Sequence, residues 1–416
     1  MAVVRPFCAV RPKKEFAARV AALPYDVMNS EEAREAVKGN DLSFLHVDKA
    51  EIDLPVGTDL YSDAVYEKAR ENLMKLEKDA CLTESEPKFY IYRQIMDGRA
   101  QTGLVACVSV DDYLNDVIKK HEHTRADKEA DRIRHVDTCD ANTGPIFLTY
   151  RGSGAVDSIL EKYVKNEPEY DFTTPEGVRN TVWVIGDKAD VEALRKAFDA
   201  IPALYIADGH HRAASAVKVA QKRREEKKEY TGKEAFNFFL AVLFKSDELA
   251  IMDYNRVLKD LNGHTVPELL SLLEKKFVVT PVGKQAYRPE KKHTFGMFTD
   301  GMWYRLEAEK EIIDETDPVA RLDVSILQNE VIAPIFGITD PRTDKRIDFV
   351  GGIRGLQELE KRATSDMKLA FSMFPTGLDD LMAIADAGLV MPPKSTWFEP
   401  KLLSGLFIHP LSGEEN

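Results

Sequence analysis

The sequence predicts a mixed α/β protein with more than one folded core. At 416 residues the chain is longer than most single domains. Strand-like apolar runs alternate with helical patterns through its middle third, as in an α/β layer. The segment Met96-Asp-Gly-Arg99 lies between two apolar runs, and an Asp-Gly pair in that position is a strong hairpin signal. Antiparallel strands are therefore expected ahead of the α/β layer.

Residues 1–112 are predicted to form an N-terminal α+β domain. Helical patterns cover Glu31–Val37 and Tyr61–Asp79, and the runs Lys88–Gln94 and Gly103–Val110 supply the two strands of the hairpin.

Residues 113–260 are predicted to form a phosphate-binding core in which strands and helices alternate. Its predicted elements are a helix at Lys128–Val136, strands at Pro145–Tyr150 and Asn180–Ile185, a helix at Val191–Ala197, a strand at Leu204–Ala207 and a helix from His211.

The remaining chain is predicted to contain a small α/β insert at 261–345 and a C-terminal segment, 346–416, that completes the core and its site. Strands are predicted in the insert at Phe277–Thr280, Thr294–Phe298 and Trp303–Leu306. The last part is predicted to contain a strand at Lys368–Phe374, a helix at Leu378–Gly388 and a proline-rich stretch at Met391–Pro400.

Composition excludes several classes of function. Lys and Arg number 57 against 70 Asp and Glu, so the net charge of −13 disfavours broad attraction to DNA or to an anionic membrane. The chain has no apolar run of membrane-spanning length and does not begin like a signal peptide, so a cytoplasmic protein is expected. Four scattered cysteines indicate neither a disulfide framework nor a zinc knuckle.

The most informative motif is Leu204-Tyr-Ile-Ala-Asp-Gly-His-His-Arg212. Gly209 allows a sharp turn off a strand, and the N–H groups at the start of the next helix attract anions. His210, His211 and Arg212 add side-chain donors at the same point, and Arg grips phosphate oxygens with two parallel hydrogen bonds. The alternative is an ordinary Asp-Gly turn with an Asp N-cap and incidental histidines.

Asp208 is the candidate ligand for Mg²⁺, because that ion favours a carboxylate combined with phosphate oxygens. Zinc binding by the adjacent His210 and His211 is disfavoured, since neighbouring side chains diverge and no third ligand is evident nearby.

Two further segments contain candidate site residues. Lys120–Arg132 is a dense block of ionisable groups in which a carboxylate can act as a general base, and the alternative is a solvated helix held by opposite-charge pairs. Pro392–Pro400 presents Lys394, Ser395 and Thr396, which suit a carboxylate or phosphate, and the alternative is a surface connection pinned by its aromatic residues.

Together these segments resemble a bacterial and archaeal family related to the ParB and sulfiredoxin nucleotide-binding fold, whose characterised members phosphorylate free L-serine. The family's Asp-Gly-His-His-Arg element is similar to 204–214, and its Lys-Ser/Thr-Thr segment is similar to 393–396. Its catalytic Glu, which follows a His and precedes a Lys-Glu pair, resembles Glu122.

The resemblance implies a ParB/sulfiredoxin-like core and a kinase that uses ATP or ADP with Mg²⁺. Glu122, Asp208 and His211 would be catalytic, and Gly209 to Arg212 would hold phosphate. The groups expected to bind a serine-like acceptor are His121, Lys394, Ser395 and Thr396.

Two other functions fit the phosphate motif: a ParB-like nucleotide-binding switch and a non-catalytic sensor of a phosphorylated metabolite. The acidic charge and the lack of a basic helix-turn-helix pattern disfavour the DNA-binding half of the switch. The expected partners are therefore a nucleotide and a small metabolite. The sequence does not identify the nucleotide base, the acceptor, the oligomeric state, or the roles of the N-terminal domain and the insert.

Overall fold

A computed structural model describes residues 1–227 and 229–412. The chain divides into two compact units, one formed by Met1–Leu249 with Pro400–Asn416 and the other by Ala250–Glu399. Lys228, in the predicted charged helix end, and the last four residues of the predicted C-terminal segment lie outside the described part.

The strands are β1 (Val4–Arg5), β2 (Val10–Pro12), β3 (Cys81–Thr83), β4 (Phe89–Met96), β5 (Arg99–Ser109), β6 (Ile118–Lys119), β7 (Ala141–Asn142), β8 (Ile146–Tyr150), β9 (Tyr170–Thr173), β10 (Arg179–Ile185), β11 (Leu204–Asp208), β12 (Phe238–Lys245), β13 (Ile251–Met252), β14 (Tyr254–Leu258), β15 (Phe277–Gly283), β16 (Thr294–Thr299), β17 (Met302–Ala308), β18 (Ile347–Gly351), β19 (Leu369–Ser372), β20 (Trp397–Phe398) and β21 (His409–Pro410).

The α-helices are α1 (Ala17–Val20), α2 (Ser30–Ala36), α3 (Leu45–Asp48), α4 (Asp63–Ala80), α5 (Val110–Leu114), α6 (Ala126–Cys139), α7 (Gly154–Tyr163), α8 (Lys188–Asp199), α9 (His210–Lys227), α10 (Val266–Leu273), α11 (Asp323–Leu327), α12 (Ala333–Phe336), α13 (Gly355–Ser365) and α14 (Leu378–Asp386).

The first unit is built on a nine-stranded mixed sheet. Eight strands follow the order β6-β11-β8-β12-β5-β4-β10-β9, and β1 pairs with β5. β11 pairs in parallel with β6 and β12 with β8, whereas the other pairs are antiparallel. The predicted hairpin is confirmed as β4 and β5, which pair from Tyr90 opposite Val105 to Met96 opposite Arg99. The mixed α/β class is therefore confirmed.

Apolar burial explains why β12 lies in the middle of this sheet. Its first seven residues are buried, and it pairs with β5 on one side and β8 on the other. A strand covered on both faces reads as a continuous apolar run, which Phe-Phe-Leu-Ala-Val-Leu-Phe provides. This strand is not among the elements predicted from the sequence.

The sheet crosses the predicted boundary at residue 112. β4 and β5 come from the predicted N-terminal domain, while β8, β11 and β12 come from the predicted core, and β5 pairs directly with β12. Residues 1–112 and 113–249 therefore share one compact unit, because the hairpin needs β12 to complete its hydrogen bonds.

The second unit contains a six-stranded antiparallel sheet in the order β15-β17-β16-β19-β14-β18. α13 packs near this sheet, and Trp303, Val257 and Leu359 are part of its hydrophobic core. The strands predicted in the insert form, and they share the sheet with β19, which comes from the predicted C-terminal segment.

A ParB/sulfiredoxin-like arrangement of the core stays a prediction. Within residues 1–227 and 229–412, no helix combines the length and the apolar character needed to cross a membrane.

Candidate functional site

The turn between β11 and α9 forms as the sequence predicts. Leu204 to Ala207 are buried, and the pairing of β11 with β8 shifts register between Ile206 and Asp208, which changes the direction of the strand end. Gly209 has a φ of +90°, a conformation that favours glycine. The backbone N–H of Ala213 donates to the Gly209 carbonyl at 2.9 Å, so α9 starts immediately after the turn.

Asp208, at the end of β11, holds a lysine that the sequence analysis missed. Lys401 Nζ lies 3.2 Å from Asp208 Oδ2, and the Gly209 N–H donates to Asp208 Oδ1 at 2.9 Å. Burial alone would raise the pKa of Asp208, but Lys401 and Arg212 hold it well below its usual value. Asp208 is therefore ionised at neutral pH and fixes the Lys401 ammonium beside the turn.

Arg212 folds back toward the same turn. Its Nη1 donates to the Pro145 carbonyl at 2.7 Å. A methyl group at Gly209 would lie 3.3 Å from Arg212 Nε, and one at Gly144 would lie 3.4 Å from Arg212 Nη1. The two glycines therefore leave room for the guanidinium, which places a second cation at the helix start.

The loop before α6 meets this turn through His211. The Arg125 N–H donates to His211 Nε2 at 3.0 Å, and the Ser215 hydroxyl donates to the His211 carbonyl at 2.6 Å. Burial lowers the pKa of His211, although the carboxylates of Asp26 and Glu129 favour its charged form. The neutral ring thus accepts a hydrogen bond from the loop that carries Glu122.

His121, Glu122 and His210 form a cluster next to the turn. The His121 and His210 rings meet edge to face with centroids 4.5 Å apart, and Glu122 Oε2 lies 3.9 Å from His210 Nδ1. Both histidines are buried, while the Glu122 side chain is 45% exposed. One candidate ligand atom from each residue lies within 4.8 Å of the other two.

The histidines of this cluster are buried without the hydrogen bonds such rings usually make. Within the described residues, His121 Nδ1, His121 Nε2 and His210 Nε2 have no hydrogen-bond partner. An unpaired buried polar group of this kind costs about 1–3 kcal/mol.

Burial keeps both rings of the cluster neutral. It lowers the pKa of His121 to about 4, even though Asp208 and the nearby backbone of Ile206 favour the charged ring. The pKa of His210 lies well below its usual value because of burial and, next, because of His121. A neutral imidazole has a nitrogen lone pair that can accept a hydrogen bond or bind a metal ion.

The N-terminal part of the unit also reaches the site. The Arg132 guanidinium lies 4.1 Å from the centre of the Tyr25 ring, and Arg132 Nε donates to Asp131 at 3.0 Å. Tyr25, Arg132 and Arg212 line a cavity of about 20 Å³, which is room for about one water molecule. Burial, aided by Asp26, raises the pKa of Tyr25 to about 12, so it stays protonated.

The predicted site residues fall into two groups. His121, Glu122 and the four residues after Asp208 come together around Asp208 in the first unit. Lys394, Ser395 and Thr396 belong to the second unit, where the Ser395 hydroxyl donates to the Pro392 carbonyl at 2.6 Å and Arg256 donates to the Lys394 carbonyl at 3.0 Å. Their role in substrate binding stays a prediction, as does that of His121, which is 2% exposed.

Binding of Mg²⁺ by Asp208 stays a prediction. One oxygen accepts from the Gly209 N–H and the other is paired with Lys401. A magnesium ion bound to Asp208 would have to share the carboxylate with this ammonium group, and Mg²⁺ demands near-ideal geometry. In this arrangement the turn offers an anion two cations, Lys401 and Arg212.

The second unit has a separate polar pocket in and around the insert. A cavity of about 180 Å³ is lined by Lys292, Asp323 and Asp380 among others. Burial raises the pKa of Asp323 to about 7, although the His293 N–H donates to this carboxyl group at 2.9 Å. No functional residue of the insert was predicted from the sequence.

Fold and site together describe a mixed α/β protein with a cationic strand-turn-helix element beside a His-Glu-His cluster. The chain belongs to the family described as "Protein of unknown function (DUF1015)", whose pattern matches residues 4–325. No curated protein matches it.

Several solved structures have a low overall similarity to the chain. A free serine kinase in complex with AMP is 13% identical, with a TM-score of 0.37 over 74% of this chain and 91% of that one. A conserved hypothetical protein from Pyrococcus furiosus is 15% identical, with a TM-score of 0.33 over 72% of this chain and 94% of that one. A truncated SbnI from Staphylococcus aureus is 11% identical, with a TM-score of 0.35 over 72% of this chain and 85% of that one.

Proposed function

We propose that the protein is a nucleotide-dependent kinase that phosphorylates the hydroxyl of free L-serine or a similar small metabolite. The observation that carries the proposal is the position of Glu122, whose carboxylate lies 3.9 Å from His210, the first residue of α9. A half-exposed carboxylate thus stands at the end of the turn where a phosphate would bind. The Glu and turn motifs quoted from the sequence support the same reading.

In the proposed reaction Glu122 takes the proton from the acceptor hydroxyl. The hydroxyl oxygen then attacks the terminal phosphorus of the nucleotide, which is the γ-phosphorus of ATP or the β-phosphorus of ADP. The bond to the bridging oxygen breaks, and ADP or AMP leaves. General-base catalysis of this kind typically contributes about 10²–10⁴-fold to the rate.

Charge neutralisation would come from the turn. Phosphoryl transfer depends mainly on positioning and on stabilising the charge of the transferred group. Lys401 is held by Asp208, and Arg212 is held by the Pro145 carbonyl, so neither cation has to be ordered when the nucleotide arrives. The helix N-terminus adds N–H donors.

The direct test is phosphorus NMR on the full chain with Mg²⁺, L-serine and either ATP or ADP. We expect a phosphoserine resonance with one of the two donors and a loss of at least about 100-fold in its rate of appearance in Glu122→Gln. The matched control is Glu161→Gln, because Glu161 is an exposed glutamate on α7 outside the cluster.

Two outcomes would contradict the proposal. Phosphoserine formation by Glu122→Gln at the wild-type rate would show that Glu122 is not the general base. Absence of product with both donors, together with saturable nucleotide binding that Arg212→Ala abolishes, would leave a nucleotide-binding protein without this kinase activity.

A further inference from the structure

His121, Glu122 and His210 offer a set of ligands that the proposed phosphoryl transfer leaves unexplained. Two imidazoles and one carboxylate converge from different parts of the chain, the segment that follows β6 and the start of α9. The histidines are 2% and 5% exposed, and three of their four ring nitrogens have no hydrogen-bond partner within the described residues. Packing alone gives no reason to bury these polar atoms side by side.

We propose that these three residues bind a divalent transition-metal ion of the Zn²⁺ type. Neutral imidazole nitrogen with one carboxylate oxygen suits Zn²⁺ and its neighbours in the first transition row, whereas Mg²⁺ prefers oxygen ligands. Two His and one Glu form a ligand set that catalytic zinc sites use, with a fourth position left for water or substrate.

The distances allow a metal after a small side-chain adjustment. The three ligand atoms lie within 4.8 Å of one another. Two bonds of about 2.2 Å can separate two ligands of one ion by at most about 4.4 Å. The Glu122 side chain is 45% exposed, so it has room to rotate toward the two fixed rings.

The proposed site does not use the adjacent pair His210 and His211. The adjacent side chains of His210 and His211 do diverge, because His211 Nε2 accepts from the Arg125 N–H while His210 packs against His121. The missing ligands come from residues 121 and 122, which the fold brings to the turn. Sequence spacing within the 208–212 motif contains no sign of them.

This metal site goes beyond the proposed kinase reaction and stands independently of it. It differs from the predicted Mg²⁺ position, because Asp208 is not among its three ligands. Both proposals use Glu122, and it would act as the base of the kinase reaction only while the cluster holds no metal, since a carboxylate bound to a metal is a weaker base than a free one.

The test is titration of the chelator-treated full chain with Co²⁺, whose visible absorption reports its ligands. We expect one equivalent to bind with the weak d–d bands of nitrogen and oxygen ligation. His121→Gln, Glu122→Gln and His210→Gln should each weaken binding by at least about 100-fold, beyond the 10–100-fold typical of losing an outer-shell partner. His123→Gln is the matched control, because His123 is exposed beside the cluster.

Glu122→Gln is the decisive variant, because its half-exposed side chain can be changed without unfolding the chain, which circular dichroism checks. Wild-type cobalt affinity in Glu122→Gln, or no stoichiometric binding by the wild type, would overturn the proposal. So would an intense sulfur-to-cobalt charge-transfer band, which would assign the ion to cysteine. Phosphoserine formation without cobalt binding would overturn the metal site alone, whereas cobalt binding without phosphoserine would overturn the kinase alone.

Discussion

Two pairs of buried histidines in the first unit differ in how their ring nitrogens are satisfied. His409 Nε2 lies 3.0 Å from the Ala235 carbonyl, and His135 Nε2 lies 3.0 Å from the Val47 carbonyl. His121 and His210 are similarly buried, yet three of their ring nitrogens have no such partner in the part of the chain that is described.

The difference separates structural histidines from candidate site histidines. A buried ring that donates to a backbone carbonyl holds two segments together, and its burial costs little. Buried rings without partners, next to a carboxylate and a cationic turn, destabilise the fold unless something binds them. Stability given up in this way is typical of functional sites.

The largest expected effect is loss of stability in acid. The folded-state pKa of His121 and of His409 is about 4, below the ordinary 6.5, so the unfolded chain takes up protons first as pH falls. The contribution of these two neutral rings to the free energy of unfolding is therefore complete above pH 6.5 and is lost as pH falls toward about 4. Each shift corresponds to a stability change on the order of 3 kcal/mol.

Urea unfolding of the wild type between pH 7 and pH 4 measures this loss. His121→Gln and His409→Gln should each make the decline shallower by a similar amount. An equally steep decline in both variants would contradict the low pKa values of these rings.

At pH 7.5 and with a chelator present, replacing a hydrogen-bonded histidine should affect stability differently from replacing a cluster histidine. His409→Leu should lower the free energy of unfolding by about 1–3 kcal/mol, because the Ala235 carbonyl loses its buried partner. The ring nitrogens of His121 have no hydrogen-bond partner among residues 1–227 and 229–412, so His121→Leu should leave stability unchanged or raise it. Urea unfolding at this pH measures both, and a larger loss in His121→Leu would refute the distinction.

The ion pair between Lys401 and Asp208 should also contribute to stability. Lys401→Met removes the main partner of Asp208, whose pKa should rise toward its usual value. Since the Asp208 side chain is 32% exposed, the cost should be roughly 1–2 kcal/mol, between a surface pair and a buried one. The matched control is Lys162→Met, whose exposed ammonium pairs with Asp190. Equal losses in the two variants would contradict a special role for Lys401.

The smallest effect is expected at Gly209. Gly209→Ala should cost about 1 kcal/mol for its φ of +90° and, in addition, should displace Arg212, which lies 3.3 Å from the new methyl group. Gly232→Ala is the control, because Gly232 has a φ of +82° and the added methyl group would have no atom of the described residues within 4 Å. Unfolding should be similar in both, while nucleotide affinity, measured by calorimetry, should fall in Gly209→Ala alone.

Local signals made much of the fold predictable from the sequence. The Asp-Gly pair fixed the β4–β5 hairpin, and Gly209 marked the turn into α9, because each depends on backbone conformations that few residues adopt. The sharing of one sheet by 1–112 and the following residues was not predictable, since the pairing of β5 with β12 joins distant segments.

Part of the candidate site was predictable from the sequence and part was not. The strand-turn-helix at 208–212 follows from adjacent residues. Lys401 and the packing of His121 against His210 depend on tertiary contacts, and no spacing in the sequence reports them.

The central claim is that the unpartnered histidines and Glu122 form a ligand site. The most direct measurement is a crystal structure of the full chain grown with Zn²⁺, with anomalous diffraction data collected at the zinc edge. The account predicts a peak about 2.0–2.2 Å from a nitrogen of His121, a nitrogen of His210 and an oxygen of Glu122. A map with no peak there, in a crystal whose exposed surface residues do show bound zinc, would contradict it.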